Sequence, residues 1–116
     1  MTERYDTISF LSDHGRTDEF VGLVHSVVHH LAPGTHVIDV THEIAPHDVR
    51  GGGLTLARAA QYLCSGVVLV SVDTVTPSPR PSVAVEVGGG ASVLVGPDNG
   101  VLAPAVAMVG GADRAV

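Results

Sequence analysis

Short apolar runs, each followed by a polar loop and separated by segments of helical periodicity, constrain the fold of this chain most strongly. The first three runs are residues 7–12, 36–40 and 67–72. Their length and content are typical of buried strands. Between the first two runs, apolar residues recur at helical spacing from Phe20 to Leu31. Strands and helices that alternate in this way predict a layered α/β arrangement with a largely parallel sheet.

The remaining segments extend the same pattern. A second helix is predicted over residues 49–63. The runs 83–87 and 92–95 are separated by a glycine-rich stretch and predict a hairpin, and a final helical stretch begins near Val101. The predicted order is β-α-β-α-β-β-β-α, which corresponds to an α/β fold with a layered, mostly parallel (mixed) sheet flanked by helices. We expect residues 1–116 to form a single domain.

Charge and composition limit the kinds of partner that this chain is expected to bind. The formal net charge is −6, and the six basic residues are all arginines scattered along the chain, so nucleic acid is not an expected partner. The first residues are polar, and no apolar run approaches the ~18 residues that a membrane span needs. We therefore expect a cytoplasmic protein with no membrane partner. The single cysteine, Cys64, excludes an internal disulfide and is interpreted as a small buried hydrophobic residue.

Polar candidates are concentrated in loops that should lie at the carboxyl edge of the sheet, where ligands of α/β sheets bind. These loops are residues 13–15, 41–48 and 73–80. Asp13 and Asp73 each follow a predicted strand directly, and the oxygens of such a carboxylate can accept hydrogen bonds from the vicinal hydroxyls of a ribose. Taken alone, each aspartate is better explained as a turn residue that bonds its own backbone.

Arg80 closes the loop that Asp73 opens. An Asp–Arg pair can position a water molecule and favour a developing hydroxide electrostatically. An ion pair that braces the loop explains the same spacing equally well. The spacing alone leaves both interpretations open.

The histidines and consecutive glycines lack the spacing of known sites. His25 and His29 lie four residues apart on the first predicted helix, but no Glu or Cys completes a zinc motif, so a solvated helix face is preferred and no metal is expected. Glycines 51–53 follow a loop, and the chain has no Lys for a phosphate loop, so close helix packing or a flexible helix start explains them better. Nucleophilic serine or cysteine catalysis lacks a Gly-x-Ser-x-Gly elbow or a neighbouring base.

Four segments, in order along nearly the whole chain, resemble the motifs of one family. They are FLSDHG at 10–15 with Asp18 and Val21-Gly22, VIDVTHEIAPHDVRGG at 37–52, VSVD at 70–73 continuing to Arg80, and VGPDNGVL at 95–102. The family is the S-adenosyl-L-methionine (SAM) hydroxide adenosyltransferases, which are adenosine-forming SAM hydrolases related to the fluorinases and chlorinases. The resemblance implies the N-terminal domain of the fluorinase-like fold.

The resemblance also implies a reaction. Water, activated as hydroxide, attacks the 5′ carbon of the adenosyl group of SAM and releases adenosine and L-methionine, with no cofactor. Asp13 is implied to hold the ribose hydroxyls, and His47 to lie near the nucleoside. Asp73 and Arg80 match two members of the family's Asp-Arg-His water-activating set and favour hydroxide over halide. Thr76 falls where halogenases carry a hydroxyl near the nucleophile.

Two departures from the family pattern accompany the resemblance. The family has Pro-Gly-Val-Gly after the aspartate, whereas this chain has TVTP at 74–77, so a different loop geometry is expected. The family's catalytic histidine and β-barrel-like C-terminal domain lie beyond Val116. A truncated chain with little activity of its own is therefore expected, because loss of one catalytic group commonly costs about 10²–10⁴-fold in rate.

The resemblance implies a homotrimer when the protein is complete, because the C-terminal domain supplies much of the pocket across a trimer interface. The alternatives to a SAM hydrolase are a non-catalytic nucleoside-binding or assembly module of the same fold, and a halogenase-like activity on SAM. A histidine-based metal binder is a weaker alternative.

Overall fold

The computed structural model describes residues 5–73 and 81–116. Within these residues six strands and three helices follow one another along the chain. The strands are β1 (Thr7–Ser12), β2 (His36–Thr41), β3 (Val67–Ser71), β4 (Ser82–Val87), β5 (Ser92–Pro97) and β6 (Ala112–Ala115). The helices are α1 (Phe20–Leu31), α2 (Val49–Ala60) and α3 (Ala103–Met108), and a 3₁₀ turn at Gly88–Gly90 joins β4 to β5.

The described strands form one mixed sheet in the order β2-β1-β3-β5-β4-β6. β1 pairs in parallel with β2 and β3, and β3 pairs in parallel with β5. β4 runs antiparallel to both of its neighbours. The expected α/β fold and the expected β4–β5 hairpin are therefore confirmed. After β1 the chain adds β2 on one side of β1 and then crosses to add β3 on the other side. The strand order therefore reverses between β1 and β3, and ligands of such sheets bind at this reversal.

Helices cover the two faces of the sheet unequally. Successive residues of a strand point to opposite faces. Leu11 of β1 joins the buried cluster that contains Leu56 of α2 and Ala105 of α3, so α2 and α3 lie on that face. Phe10 points the other way and contacts Phe20 at the start of α1, with 6.4 Å between ring centroids. None of the helices in the described ranges is long and apolar enough to cross a bilayer.

The edge strand β6 and the exposure of Cys64 differ from the sequence expectations. All four residues of β6 are exposed and show no apolar pattern, so the strand gives no hydrophobic signal. It pairs with β4, where Arg114 Nε lies 2.8 Å from Glu86 Oε2. The interpretation of Cys64 as buried was wrong: α2 ends at Ala60, earlier than expected, and leaves Cys64 exposed in the turn before β3.

Close packing accounts for two of the consecutive glycines in α2. A Cβ atom on Gly53 would lie 3.0 Å from the carbonyl oxygen of Val101 and 3.3 Å from Pro104. A Cβ atom on Gly52 would lie 3.3 Å from Val72 at the end of β3. These distances are shorter than ordinary van der Waals contact, so the expectation that the glycines permit close helix packing is confirmed.

Exchange of Gly53 for alanine tests this close approach. Alanine favours a helix over glycine by about 1 kcal/mol, but overpacking against a backbone carbonyl costs about 1–3 kcal/mol. We expect Gly53→Ala to lower the free energy of unfolding in a urea titration. The matched control is Gly22→Ala in α1, where a Cβ atom meets nothing within 4 Å and alanine should stabilise the chain. Equal stabilisation by both exchanges would contradict the packing argument.

Candidate functional site

Asp13 is fixed at the boundary between β1 and β3. Its N–H donates to the carbonyl oxygen of Ser71, at 3.2 Å, and so continues the pairing of the two strands. Its side chain is only 8% exposed, and Oδ2 accepts a hydrogen bond of 2.7 Å from the N–H of His47. Among the described residues Oδ1 accepts no hydrogen bond, although Nε2 of His14 lies 3.8 Å away. One carboxylate oxygen is thus held by the protein, and the other is left for a ligand.

His47 bridges the loops that carry the two aspartates. Across residues 5–73 and 81–116 it is the one non-glycine residue with a positive φ, at 63°. This left-handed conformation is uncommon for residues other than glycine and carries strain. With its N–H on the Asp13 carboxylate, the Nδ1–H of its ring donates to the carbonyl oxygen of Asp73 at 3.0 Å. Through these two hydrogen bonds, His47 links the ends of β1 and β3.

Asp73 follows β3 with its backbone held and its side chain exposed. The carbonyl oxygen of Val72 accepts from Nδ2 of Asn99 at 2.9 Å, and Oδ1 of Asn99 accepts from the N–H of Val101 at 3.1 Å. Within the described chain, the Asp73 carboxylate has no hydrogen-bond or ion-pair partner. Among these residues Asp73 is therefore positioned through its backbone alone.

Two of the predicted site residues, Thr76 and Arg80, lie outside the described residues. The pairing of Asp73 with Arg80 and the position of the Thr76 hydroxyl therefore stay predictions. The structure brings together the other three: Asp13, His47 and Asp73 meet at the reversal of strand order. Asn99, which holds the peptide before Asp73, was not singled out from the sequence, because an asparagine in a turn carries no signal of its long-range partner.

A groove of about 410 Å³ lies beside Asp73, on the face of the sheet that α1 covers. Its wall includes Phe20, on which the ring of His14 is stacked with 3.6 Å between centroids. Nε2 of His14 also lies 3.4 Å from Oγ of Ser71. A groove of mixed polar and apolar lining, with aromatic rings and a carboxylate at its edge, suits a small organic ligand that has a flat ring and a polar or cationic end.

A buried chain of hydrogen bonds lies behind Asp13, and sequence reasoning did not find it. Nδ1 of His42 lies 2.6 Å from Oγ of Ser12, and Nε2 of His42 lies 2.7 Å from Oδ1 of Asp39. The combination of Ser, His and Asp is that of a nucleophilic triad, but Ser12 is 0% exposed and cannot reach a substrate. The absence of support for serine catalysis in the sequence agrees with this burial.

A shift in strand register creates the contact between Ser12 and His42. Phe10 of β1 pairs with Asp39 of β2, but the next residue, Leu11, pairs with Thr41. Val40 is thus the extra residue of a bulge. The shift carries the chain forward by one residue, so that His42, and not Thr41, follows on beside Ser12.

Asp39 gathers several positive or hydrogen-bonding groups. In addition to His42, Nε2 of His25 lies 3.0 Å and Nη2 of Arg16 lies 3.3 Å from its carboxylate. Burial raises the pKa of Asp39, but hydrogen bonds and charge interactions with His42 and His25 outweigh burial, so its pKa is lowered overall. His25 is therefore a hydrogen-bond partner of Asp39, whereas His29 is exposed as expected. In the parts of the chain that are described, no three His, Cys, Asp or Glu side chains are grouped to hold a metal ion.

The lowered pKa of Asp39 predicts a loss of stability in acid. A carboxyl group whose pKa is lower in the folded chain than its ordinary 3.8 stabilises the fold above that pH, and this contribution disappears as the pH falls through the folded-state pKa. We expect the free energy of unfolding, measured in urea, to fall below about pH 4. Asp39→Asn should reduce this dependence, whereas Asp6→Asn, at an exposed aspartate just before the amino end of β1, should not. An unchanged acid dependence in Asp39→Asn would contradict the prediction.

Comparison with known proteins places the chain among relatives of defined chemistry. The SAM hydroxide adenosyltransferase N-terminal domain matches residues 8–116. The chain is 47% identical over 109 residues to an (R)-S-adenosyl-L-methionine hydrolase of Salinispora tropica, covering 94% of the chain and 41% of that protein. It is 40% identical over 95 residues to the hydrolase of the same name from Thermus thermophilus, covering 81% of the chain and 36% of that protein. The chain thus spans about two fifths of the length of these hydrolases.

A fluorinase of an Actinoplanes species is 30% identical over 64 residues, covering 55% of the chain and 22% of the fluorinase. Two solved structures show the same fold. A conserved hypothetical protein from Thermus thermophilus has a TM-score of 0.81 at 35% identity, covering 94% of the chain and 45% of that structure. An uncharacterized conserved protein from Thermotoga maritima has a TM-score of 0.83 at 32% identity, covering 93% and 41% respectively. Sequence and fold agree: this chain belongs to the SAM hydroxide adenosyltransferase family, whose N-terminal domain it contains.

Proposed function

We propose that this chain supplies the ribose-binding and water-activating carboxylates of a SAM hydrolase, in which water attacks C5′ of the adenosyl group. The observation that carries the proposal is the meeting of Asp13 and Asp73 at the β1–β3 boundary, where His47 joins their loops. The hydrolases among the relatives support the choice of reaction. Because the chain matches only two fifths of their length, the proposal assigns to it only the groups that it carries.

Asp13 is suited to the ribose. His47 holds Oδ2, so the carboxylate plane is fixed before a ligand arrives. Oδ1 can then accept a hydrogen bond from a ribose hydroxyl without a rearrangement of the loop. Hydrogen bonds to charged groups are worth about 1.5–3 kcal/mol, so a pre-oriented carboxylate would contribute substantially to nucleoside affinity.

Asp73 is suited to the attacking water. Its exposed carboxylate lies at the edge of the groove with no partner among the described residues, so it can accept a hydrogen bond from water and then its proton. As the water oxygen bonds to C5′, the C5′–S bond breaks and its electron pair remains on sulfur as the thioether of methionine. The sulfonium is positive before this step, and nearby carboxylates favour its binding.

Asp73 also bears on the identity of the nucleophile. A carboxylate beside the reacting carbon attracts the hydrogens of water but repels a fluoride or chloride ion. Attack by water, which gives its proton to this carboxylate, therefore fits the site better than attack by a halide ion. We assign Arg80 to stabilisation of the developing hydroxide and Thr76 to the surroundings of the nucleophile. No cofactor enters the scheme; the homotrimer and the cytoplasmic location stay predictions.

The reaction can be tested by incubation of the purified chain with SAM in ¹⁸O-labelled water, with adenosine followed by chromatography and mass spectrometry. We expect the label in the 5′ hydroxyl of adenosine. A parallel test replaces the matching region of the Salinispora tropica hydrolase with this chain, so that the rest of a hydrolase is present. The chimera should form labelled adenosine and methionine.

Asp73→Asn should lower the rate of the chimera by about 10²–10⁴-fold, the usual effect of removing a general base. Asp6→Asn, just before the amino end of β1 and so at the other end of the strands, is the control and should leave the rate unchanged. A 5′-chloro product formed in added chloride would show that the nucleophile is a halide ion and would contradict attack by water. A chimera that folds and binds adenosine without turnover would instead support the non-catalytic nucleoside-binding module.

A further inference from the structure

The proposed chemistry uses Asp13 but leaves unexplained the buried polar residues beside it. His42 is almost completely buried, and its ring meets Phe10 edge-on, with 4.7 Å between ring centroids. Both ring nitrogens have a partner, Ser12 on one side and Asp39 on the other. Buried polar groups are costly unless every hydrogen bond is satisfied, so such a cluster holds its members in a single arrangement.

The hydrogen bonds of this cluster form a continuous chain. Ionised Asp39 can only accept, so Nε2 of His42 must carry the proton that it donates to the carboxylate. Nδ1 of the same ring is hydrogen-bonded to the hydroxyl of Ser12 at 2.6 Å. Oγ of Ser12 in turn accepts from the N–H of His14 at 3.4 Å. The chain of donors and acceptors therefore passes from β2 to the residues on either side of Asp13.

His42 holds the Asp13 loop at a second point. Its carbonyl oxygen accepts from the N–H of Gly15 at 2.7 Å, where the backbone turns with a φ of 71°. The side chain of His42 thus fixes the residue before Asp13, and its backbone fixes the loop two residues after. His42 also begins the segment that leads to His47, whose N–H contacts the Asp13 carboxylate.

We propose that His42 is a positioning residue for the ribose site: through Ser12 and its own carbonyl group, it holds the Asp13 carboxylate in the orientation that accepts a ribose hydroxyl. The ligand part of this inference rests on the proposed function. His42 touches no substrate, and its effect is confined to the conformation of Asp13. Loss of the ring should leave a ligand's other contacts in place and remove the contribution of the ribose hydroxyl.

Two variants of the 116-residue chain test the proposal. His42→Gln removes the ring, and Ser12→Ala removes a single oxygen atom and breaks the same link. Both break the contact between Ser12 and the ring of His42, but His42→Gln also removes the hydrogen bond to Asp39, so Ser12→Ala is the more selective change. The matched control is His29→Gln, at an exposed histidine of α1.

The first readout needs no ligand. The amide proton of His47 should resonate downfield at neutral pH because it donates to the Asp13 carboxylate. Asp13→Ala provides the reference in which this acceptor is absent. We expect the downfield shift to be lost in Ser12→Ala and His42→Gln and retained in His29→Gln. Retention in a folded Ser12→Ala chain would overturn the proposal, and Ser12→Ala decides the result if His42→Gln does not fold.

The second readout compares the affinities of adenosine and 2′-deoxyadenosine by calorimetry. The parent chain should prefer adenosine about tenfold or more, the effect expected of a hydrogen bond to a charged group. The ratio of the two affinities should fall towards one in both variants. A general loss of stability would instead weaken the binding of both ligands equally and leave the ratio unchanged. Variants that keep the full preference would overturn the positioning role. A parent chain without any preference would contradict the ribose-binding function of Asp13, and the chemical shift of the His47 amide would still decide whether His42 orients that carboxylate.

Discussion

The pairing of β1 on both sides, with β2 and with β3, is the constraint on which the rest of the structure depends. A strand paired on both edges has its backbone groups satisfied and little freedom to move. Its side chains serve both faces, with Leu11 in the core beneath α2 and Phe10 against α1. The same strand ends at Ser12, directly before Asp13, so the candidate site begins at a strand that is held on both sides.

The strain at His47 is tolerable because contacts on both sides determine the conformation. A left-handed backbone costs a non-glycine residue of order 1–3 kcal/mol when nothing compensates. Here the His47 N–H is on the Asp13 carboxylate, and the ring is on the Asp73 carbonyl group. A glycine would adopt the same φ with less strain, but it would lack the ring that reaches β3. The histidine therefore combines a turn with a bridge between two strands.

The fold could be predicted largely from the sequence because its central strands are apolar and its helices periodic. The edge strand β6 escaped prediction because it is held by pairing with β4 and by polar contacts such as that between Arg114 and Glu86. For the site, the rule that ligands bind at the carboxyl edge brought Asp13 and Asp73 together. The roles of Ser12 and His42 could not be predicted, since their contact depends on a register shift that no local pattern reveals.

The bulge at Val40 affects the geometry of the candidate site but is not needed for the pairing of the sheet. A β2 strand with the same residues but regular pairing after Asp39 would still pair with β1 and keep the sheet, because the pairing before the bulge is already in register. It would, however, bring Thr41 to the position that His42 now occupies. Loss of the bulge alone could thus leave a well-folded sheet in which the contact between His42 and Ser12 is absent, without any change to the aspartates themselves. A relative that keeps this fold therefore does not necessarily keep the geometry of the site.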